Sequence, residues 1–305
     1  MRAIVSGAGG FIGSHLVDRL VADGHFVVGV DEKLGTDWLR GRNSATFELS
    51  LLDVSGPCAE LKAWLNEWSD ERFDVCFHLA AESRIQPSFN RPLEYVQDNI
   101  VGTARMLELC RKYKIPQLVY AGSSTADDDV AKNVYATTKI AGEQLCRAWN
   151  VGFGLKTAIA RFYNVYGPRQ IEDGQYATVI GIFERQWRNG EKLTVTGDGS
   201  QRRDFTHVAD IVDGLISIAR KQAIINSQDY TPTYSLGSGI NWSILQVAKM
   251  FVDDDRIAFI PRPRGEAAVT LANINHTSRA LNWRASRSLL DYIHDVKRNT
   301  ANVTG

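Results

Sequence analysis

Apolar and polar positions in the first half of the chain follow two alternating rhythms. Met1-Arg2-Ala3-Ile4-Val5 is a short apolar run of strand type, and from Phe11 to Leu20 apolar residues recur at helical spacing. His25-Phe26-Val27-Val28-Gly29-Val30 reads as a second strand and Thr46-Phe47-Glu48-Leu49 as a third, before a turn at Asp53-Val54-Ser55-Gly56-Pro57. Leu61 to Trp68 predicts a helix. Phe73 to Leu79 predicts a buried strand that runs into Ala80-Ala81-Glu82-Ser83. A long helix follows Pro92, through Tyr95, Val96, Ile100, Met106 and Leu109, and Gln117 to Ala121 is the next strand. Asn133 is placed to cap a helix holding Tyr135, Lys139 and Glu143, and Lys156 to Ala160 is a further strand. Strand and helix in alternation predict an α/β fold, a doubly wound parallel sheet with helices on both faces. Beyond about Tyr166 the rhythm loosens, which predicts a smaller α/β region toward the C-terminus. The polar tail Arg298–Gly305 is expected to fray.

The joint between the first strand and the first helix carries the first chemical signal. Ser6-Gly7-Ala8-Gly9-Gly10-Phe11-Ile12-Gly13 has glycines at every third position. Gly7 lets the chain turn out of the strand, Gly10 lets backbone approach a pyrophosphate, and Gly13 lets the helix lie close to the sheet. The N–H groups that open the helix, from Phe11 and Ile12 onward, then face phosphate together with the positive end of the helix dipole. The second strand ends on Asp31, about 20 residues on, where an acid binds the adenosine ribose hydroxyls of a dinucleotide. An acid there repels a 2′-phosphate and favours NAD over NADP, with Lys33 and Arg40 nearby as opposing charges. The predicted sheet is therefore of Rossmann type.

Composition narrows the class without changing this picture. Lys+Arg and Asp+Glu balance at 35 each, so no global field draws the chain to nucleic acid or to an anionic membrane. No apolar run is long enough to span a bilayer, and the first strand begins at Arg2 with no targeting segment before it. Cys58, Cys76, Cys110 and Cys146 are widely spaced, and the histidines are scattered, so neither a disulfide framework nor a metal site is expected. The expectation is a cytoplasmic protein.

Tyr135-Ala136-Thr137-Thr138-Lys139 sets a phenol and an ammonium on one helix face. A tyrosine near pH 10 becomes a usable base when positive charge favours its phenolate. The same spacing also arises in a plain surface pair. Ser123, at the carboxyl end of the preceding strand, adds weight to the chemical reading, because open α/β sheets bind ligands there.

These stretches resemble the extended short-chain dehydrogenase/reductase family, in the branch that modifies nucleotide sugars. The resemblance takes in the glycine loop, His78-Leu79-Ala80-Ala81, Asn99-Ile100-Val101-Gly102-Thr103, Ser123 with Tyr135 and Lys139, and Arg161 through Arg169. It continues with Gly197 through Phe205 and with Arg264-Gly265-Glu266. It implies an NAD-binding Rossmann unit over residues 1–166 with a later return at about 205–236, and a nucleotide-sugar-binding region over 167–204 and 237–305. It implies Tyr135 as base, Lys139 holding the nicotinamide ribose and lowering the Tyr135 pKa, and Ser123 on the reacting hydroxyl. Gly7, Gly10, Phe11, Ile12, Gly13, Asp31, Asp53, Val54, Leu79, Ala80 and Ala81 would line the cofactor. Asn99 corresponds to the family's structural asparagine. Ser83, Asn164, Arg203 and Arg264 would meet the sugar nucleotide, since guanidiniums and amides match phosphate oxygens. The bland alternative for Arg202, Arg203, Arg262 and Arg264 is a solvated basic surface.

Members of this branch share oxidation at sugar C4 and then diverge. Dehydratases usually carry Asp-Glu after the catalytic hydroxyl residue, and decarboxylases a glutamate at the second of those places. This chain has Ser124 and Thr125, closer to the 4-epimerases, so Thr125 joins the candidate catalytic set. The family's proline-rich loop is shortened here to Thr125–Val134, with Asp127-Asp128-Asp129 in the gap. Those aspartates are a solvated turn, or one of them supplies acid–base chemistry and keeps dehydration or decarboxylation open. A non-catalytic NAD-binding sensor is a third reading, against which the retained Ser123, Tyr135 and Lys139 argue. The resemblance also implies a homodimer through helices at Pro92–Tyr113 and Val134–Asn150, with Met106, Leu107 and Leu145 either in that bundle or in the core.

Overall fold

The computed structural model describes residues 1–32, 47–51, 54, 63, 66, 72–127, 133–224 and 230–301. Seven strands form one sheet: β1 (Arg2–Ser6), β2 (Phe26–Asp31), β3 (Phe47–Leu51), β4 (Val75–His78), β5 (Gln117–Ser123), β6 (Lys156–Phe162) and β7 (Thr233–Leu236). Their spatial order is β7-β6-β5-β4-β1-β2-β3 and every pairing is parallel. The order reverses between β1 and β4, the switch point at which such sheets bind ligands.

Side-chain alternation along β1 explains the two layers of helix. Ala3 and Val5 face one cluster, with Leu16, Val17 and Leu20 of α1 (Phe11–Ala22) and with Ile211, Leu215 and Ile218. Ile4 faces the other, with Met106, Leu107 and Cys110 and with Cys146. Burying each of the large aliphatic side chains contributes about 1.5–3 kcal/mol. Met106 and Leu107 are fully buried in this second cluster and Leu145 packs against it. Of the two readings open for these three, core is the one the protomer uses.

After β4 the helix expected from Pro92 runs without a break to Lys112, with a π turn inside it and a short separate helix before it. A short α2 (Ile85–Asn90) comes first, followed by α3 (Pro92–Val96), a π turn at Gln97–Val101, and α4 (Gly102–Lys112). Pro92 opens α3, where its missing N–H costs nothing. The helix of the candidate base, α5 (Val134–Phe153), is capped by Asn133, whose Oδ1 accepts from the Ala136 N–H at 2.8 Å. Asp53 and most of the turn and helix expected between Asp53 and Trp68 lie outside the described residues, as do Lys33, Arg40, Cys58, Asp128 and Asp129.

A third cluster gathers Tyr166, Ile180, Phe183, Leu193, Val195, Phe205, Val247 and Phe251. Around it lie α6 (Val179–Arg188), α8 (Ile244–Phe251) and three two-stranded ladders, while α7 (Val208–Ile224) returns to pack on β5 and β6. The chain comes back to the first unit once more after α8. The Trp283 indole N–H donates to the Asp210 carbonyl at 3.1 Å, and Trp283 sits in the first cluster. Residues Ala280, Leu281 and Ala285, in and just after α9 (Asn275–Leu281), pack on the first cluster with Trp283, while Leu289 and Ile293 further on join the third. The last helix, α10 (Leu289–Ala301), takes in the first residues of the polar tail, and residues 302–305 lie outside the described residues.

Two buried acids make these returns possible. Asp204 accepts from the Ser238 N–H (2.8 Å), the Ser238 hydroxyl (2.6 Å), the Gly239 N–H (2.9 Å) and the Ala272 N–H (3.0 Å). Asp210 accepts from the Ser286 and Arg287 N–H groups and from the Arg287 guanidinium. A buried carboxylate is tolerated when its lone pairs are filled in this way. Replacement Asp204→Ala strands its donors and is expected to lower stability by about 3 kcal/mol or more. Urea unfolding measures this, with Asp204→Asn expected to lose less because one acceptor remains.

Candidate active site

The glycine loop is held between β2 and the exit of β4. Gly7 has φ +73°, and its N–H donates to the Val30 carbonyl at 2.8 Å. A Cβ on Gly7 would lie 2.7 Å from the Ala80 nitrogen. A Cβ on Gly13 would lie 2.0 Å from the Gly7 carbonyl oxygen, so this glycine serves helix-to-loop contact more directly than helix-to-sheet contact. Gly10 caps α1 in an extended conformation, and no side chain accepts from the first-turn N–H groups, which belong to Phe11, Ile12 and Gly13. The Asp31 carboxylate accepts from the Gly9 N–H at 2.9 Å, which fixes it at the loop. Leu79, Ala80 and Ala81 are half-buried beyond β4, beside the loop. Val54 is buried among Ile4, Val28 and Val30. A bare backbone cradle, an open helix N-terminus and an acid fixed at its rim fit a dinucleotide.

Across the switch point, β5 delivers Ser123 to the N-terminal end of α5. The Thr125 hydroxyl donates to Ser123 Oγ at 3.0 Å, and the Thr125 N–H donates to the same oxygen at 3.3 Å. Ser123 is left with its own proton to give, and it hydrogen-bonds the Tyr135 phenol. Thr125 thus acts on Ser123. The Lys139 ammonium donates to the Ala121 carbonyl at 3.0 Å and lies 5.2 Å from the centre of the Tyr120 ring. Burial lowers its pKa to about 8, against the pull of Glu143 one turn further along α5.

The tyrosine itself departs from expectation. Burial raises the Tyr135 phenol above its ordinary value, while Ser123 and the Arg84 guanidinium act to lower it. The Arg84 guanidinium, whose charge favours the phenolate, is a residue the sequence did not single out. Arg84 has φ +76°, its Nε–H donates to the Tyr176 carbonyl at 3.1 Å, and its own carbonyl accepts from the Tyr95 hydroxyl at 3.1 Å. Tyr95 in turn packs edge-on against Tyr135, with ring centres 6.3 Å apart. Ser83 is exposed at this rim, with its carbonyl taken by the Tyr95 hydroxyl.

A buried hydrogen-bond chain joins the two halves of the site. The Thr103 hydroxyl donates to the Asn99 carbonyl at 2.6 Å, so it accepts from His78 Nε2 at 3.0 Å. His78 Nδ1 is then left to accept from the Ser6 hydroxyl at 2.7 Å. The Asn99 side chain pairs with both the N–H and the carbonyl of Glu82 and donates to Thr138 Oγ1 at 2.9 Å. Asn99 is thereby structural, as the resemblance implies. His78 was legible only as part of a family stretch, with no separate signal for its role.

The arginines are engaged with the fold. Arg203 is buried and its guanidinium pairs with Glu266 at 3.1 Å, while Arg202 is bound by Asn241. Arg264 lines a cleft of about 360 Å³ with Gln86, Pro87, Phe89, Asn90 and Gln175. The Asn164 amide nitrogen donates to the Asp204 carbonyl and to Thr270, and among the described residues its side-chain oxygen has no hydrogen-bond partner. Asp127 is exposed at the start of the short loop, where it pairs with Arg161 at 2.9 Å and accepts from the Tyr163 hydroxyl. Among the described residues no group of three or more His, Cys, Asp or Glu could hold a metal ion, and no helix is long and apolar enough to cross a membrane.

A phenol, a hydroxyl and an ammonium gathered where a dinucleotide cradle opens are the equipment of a short-chain dehydrogenase/reductase, the class this fold and site define. The NAD-dependent epimerase/dehydratase family model matches residues 3–231, so the chain belongs to that family, and NAD is its cofactor. An uncharacterised UDP-glucose epimerase of Bacillus subtilis is 31% identical over 95% of each chain. A UDP-N-acetyl-alpha-D-glucosaminuronate decarboxylase of Bacillus cytotoxicus is 33% identical over 81% of this chain and 78% of its own. The crystal structure of UDP-glucuronic acid 4-epimerase from Bacillus cereus, with UDP-glucuronic acid and NAD, has a TM-score of 0.86 at 26% identity, covering 99% of this chain and 100% of that one. The family holds nucleotide-sugar epimerases, dehydratases and decarboxylases, and this chain is one of its enzymes.

The buried imidazole makes a prediction about acid stability. Burial first, and the Lys139 charge second, lower the His78 pKa from 6.5 to about 3. Between those values the unfolded chain binds a proton that the native chain does not. Stability therefore falls as pH drops through that window, by up to about 1.4 kcal/mol per pH unit from this group. Urea unfolding at a series of pH values is expected to show a shallower acid slope for His78→Asn than for the wild type.

Proposed function

We propose that the protein is an NAD-dependent nucleotide-sugar 4-epimerase. The observation that carries this reading is the Thr125 hydroxyl on Ser123 beside Tyr135, with Ser124 and Thr125 at the two places where dehydratases of the branch carry Asp-Glu and decarboxylases a glutamate at the second. The engagement of Asp127 by Arg161 and Tyr163 supports it further, since a carboxylate so occupied is poorly placed to expel water.

In this reading Gly7, Gly10, Phe11, Ile12, Gly13, Asp31, Asp53, Val54, Leu79, Ala80 and Ala81 hold the dinucleotide, and Lys139 holds its nicotinamide ribose. When bound, NAD supplies the acceptor and later the donor of the sugar C4 hydride. Ser123 fixes the C4 hydroxyl, and Thr125 fixes Ser123. Tyr135 takes the hydroxyl proton as C4 is oxidised. The 4-keto sugar then turns to present its opposite face, and Tyr135 returns the proton. Asn164, Arg203 and Arg264 hold the diphosphate while the sugar turns, with Ser83 at the rim. Residues 1–166 with 205–236 serve the cofactor, and 167–204 with 237–305 serve the substrate. A cytoplasmic setting belongs to this proposal and agrees with the buried free thiols of Cys76, Cys110 and Cys146.

A homodimer also belongs to it, through the helices of residues 92–113 and 134–150. Leu93 on α3 is 82% exposed and Val96 41%, which suits a second copy of the chain better than water. Leu93→Glu is expected to shift the sedimentation coefficient from dimer to monomer; an unchanged monomer in both proteins would remove the dimer.

The decisive assay incubates the NAD-loaded protein with nucleotide sugars, followed by chromatography and mass spectrometry. A product of unchanged mass and new retention is expected. A product lighter by one water, or by carbon dioxide, would replace the epimerase with a dehydratase or a decarboxylase. Tyr135→Phe is expected to lower kcat by about 10²–10⁴-fold, the range of general acid–base catalysis, and to leave NAD-induced thermal stabilisation in place.

A further inference from the structure

The geometry points to Arg84 as the residue that selects the sugar: we propose that its guanidinium takes a carboxylate carried beside the reacting carbon, so that the preferred substrate is a nucleotide-activated uronic acid. This deepens the nucleotide-sugar reading above and rests on it.

Three observations place the side chain. Arg84 stands at the turn between β4 and α2 with φ +76°, a conformation that L side chains rarely adopt. Strained backbone of this kind persists where surrounding contacts over-determine it, and it clusters at ligand sites. Here the Tyr95 hydroxyl fixes the Arg84 carbonyl, and the Asn99 amide fixes Glu82 two residues before. The same Tyr95 ring packs on Tyr135, so the turn is built against the candidate base.

The donors of Arg84 are only partly used. Its Nε–H donates to the Tyr176 carbonyl, which orients the guanidinium plane. Among the described residues its two Nη groups have no hydrogen-bond partner. Glu266 is close enough to interact electrostatically, but its carboxylate accepts from Arg203. The side chain is half-buried and feels the Tyr135 phenol as well. A half-buried guanidinium whose two Nη groups have no hydrogen-bond partner among the described residues is suited to a planar two-oxygen anion. The diphosphate is assigned to Arg203 and Arg264. The group next to Tyr135 is the sugar ring at C4 and its neighbouring substituent, and a C6 carboxylate supplies the missing anion.

The test compares UDP-glucuronate with UDP-glucose on the NAD-loaded protein, reading calorimetric binding and kcat/KM for each. The wild type is expected to favour UDP-glucuronate. Arg84→Gln is expected to lower the ratio of the two kcat/KM values by about 10- to 150-fold, the range for a hydrogen bond to a charged group. Arg84→Lys is expected to recover part of that ratio, and Arg84→Gly, which suits a positive φ, serves if the glutamine variant does not fold. Preference of the wild type for UDP-glucose, or an equal loss on both sugars, would overturn the proposal and leave the nucleotide-sugar reading standing. Binding of neither, while another nucleotide sugar of the panel binds, would overturn the proposal alone, and binding of no nucleotide sugar in the panel would overturn both.

Discussion

The arrangement depends on one neutral imidazole. His78 lies at the end of β4, between the strand that enters the glycine loop and the helix that follows the π turn. Its tautomer is dictated by its neighbours. Thr103 has already given its proton to the Asn99 carbonyl and can only accept, so Nε2 carries the hydrogen and Nδ1 receives the Ser6 hydroxyl. Protonating the ring would set a second donor against Ser6 and add a charge in the neighbourhood of buried Lys139. One proton therefore keeps the cofactor strand and the Asn99 turn in register. From Asn99 the chain of bonds passes to Glu82 on one side and to Thr138, one turn from Tyr135, on the other. Such a network rigidifies a site when every member is satisfied.

The substrate side is built on a different plan. Its residues come from stretches far apart in the chain, and buried acids hold those stretches together. Asp204 gathers backbone from residues 238, 239 and 272, while Arg203, the next residue, reaches Glu266. The Arg264 carbonyl accepts from Gln86 at 2.8 Å, and the Gly265 carbonyl accepts from Asn133. The loop carrying Arg264-Gly265-Glu266 is thus tied to the arginine strand, to α2 and to the cap of α5 at once. Motion of this loop would disturb the cap of α5 and the Arg203–Glu266 pair together.

How much of this the sequence could reveal follows from the range of each interaction. The glycine cradle, the acid closing β2 and the Tyr135–Lys139 pair are set by local spacing, so they could be read directly. So could the parallel sheet, from the alternation of strand and helix. Met106, Leu107 and Leu145 could not be assigned between core and interface, because apolar spacing is the same for both; only their packing against β4 and β5 decides it. Arg84 escaped notice because its signal is a backbone angle and a contact with Tyr176, 92 positions away. Asp127 was legible as an acid in a short loop, but its partners Arg161 and Tyr163 come from β6 and the residue after it.

The electrostatics of the base follow from Glu143, which is almost wholly buried on α5. Its carboxylate takes the Arg161 guanidinium with both oxygens, at 2.8 and 2.7 Å. The same charge opposes the desolvation that lowers Lys139. Without Glu143, the ammonium one turn away would be harder to keep protonated, and Arg161 would lose the partner that aims it at Asp127. One buried carboxylate thus has two effects on chemistry it does not touch. It favours the cation that the phenol's neighbourhood needs, and it keeps occupied the acid that could divert the site toward elimination. The short loop and the hydroxyl pair are consistent with the proposed division, in which Tyr135 is the acid–base group while Glu143 and Asp127 are committed to structure.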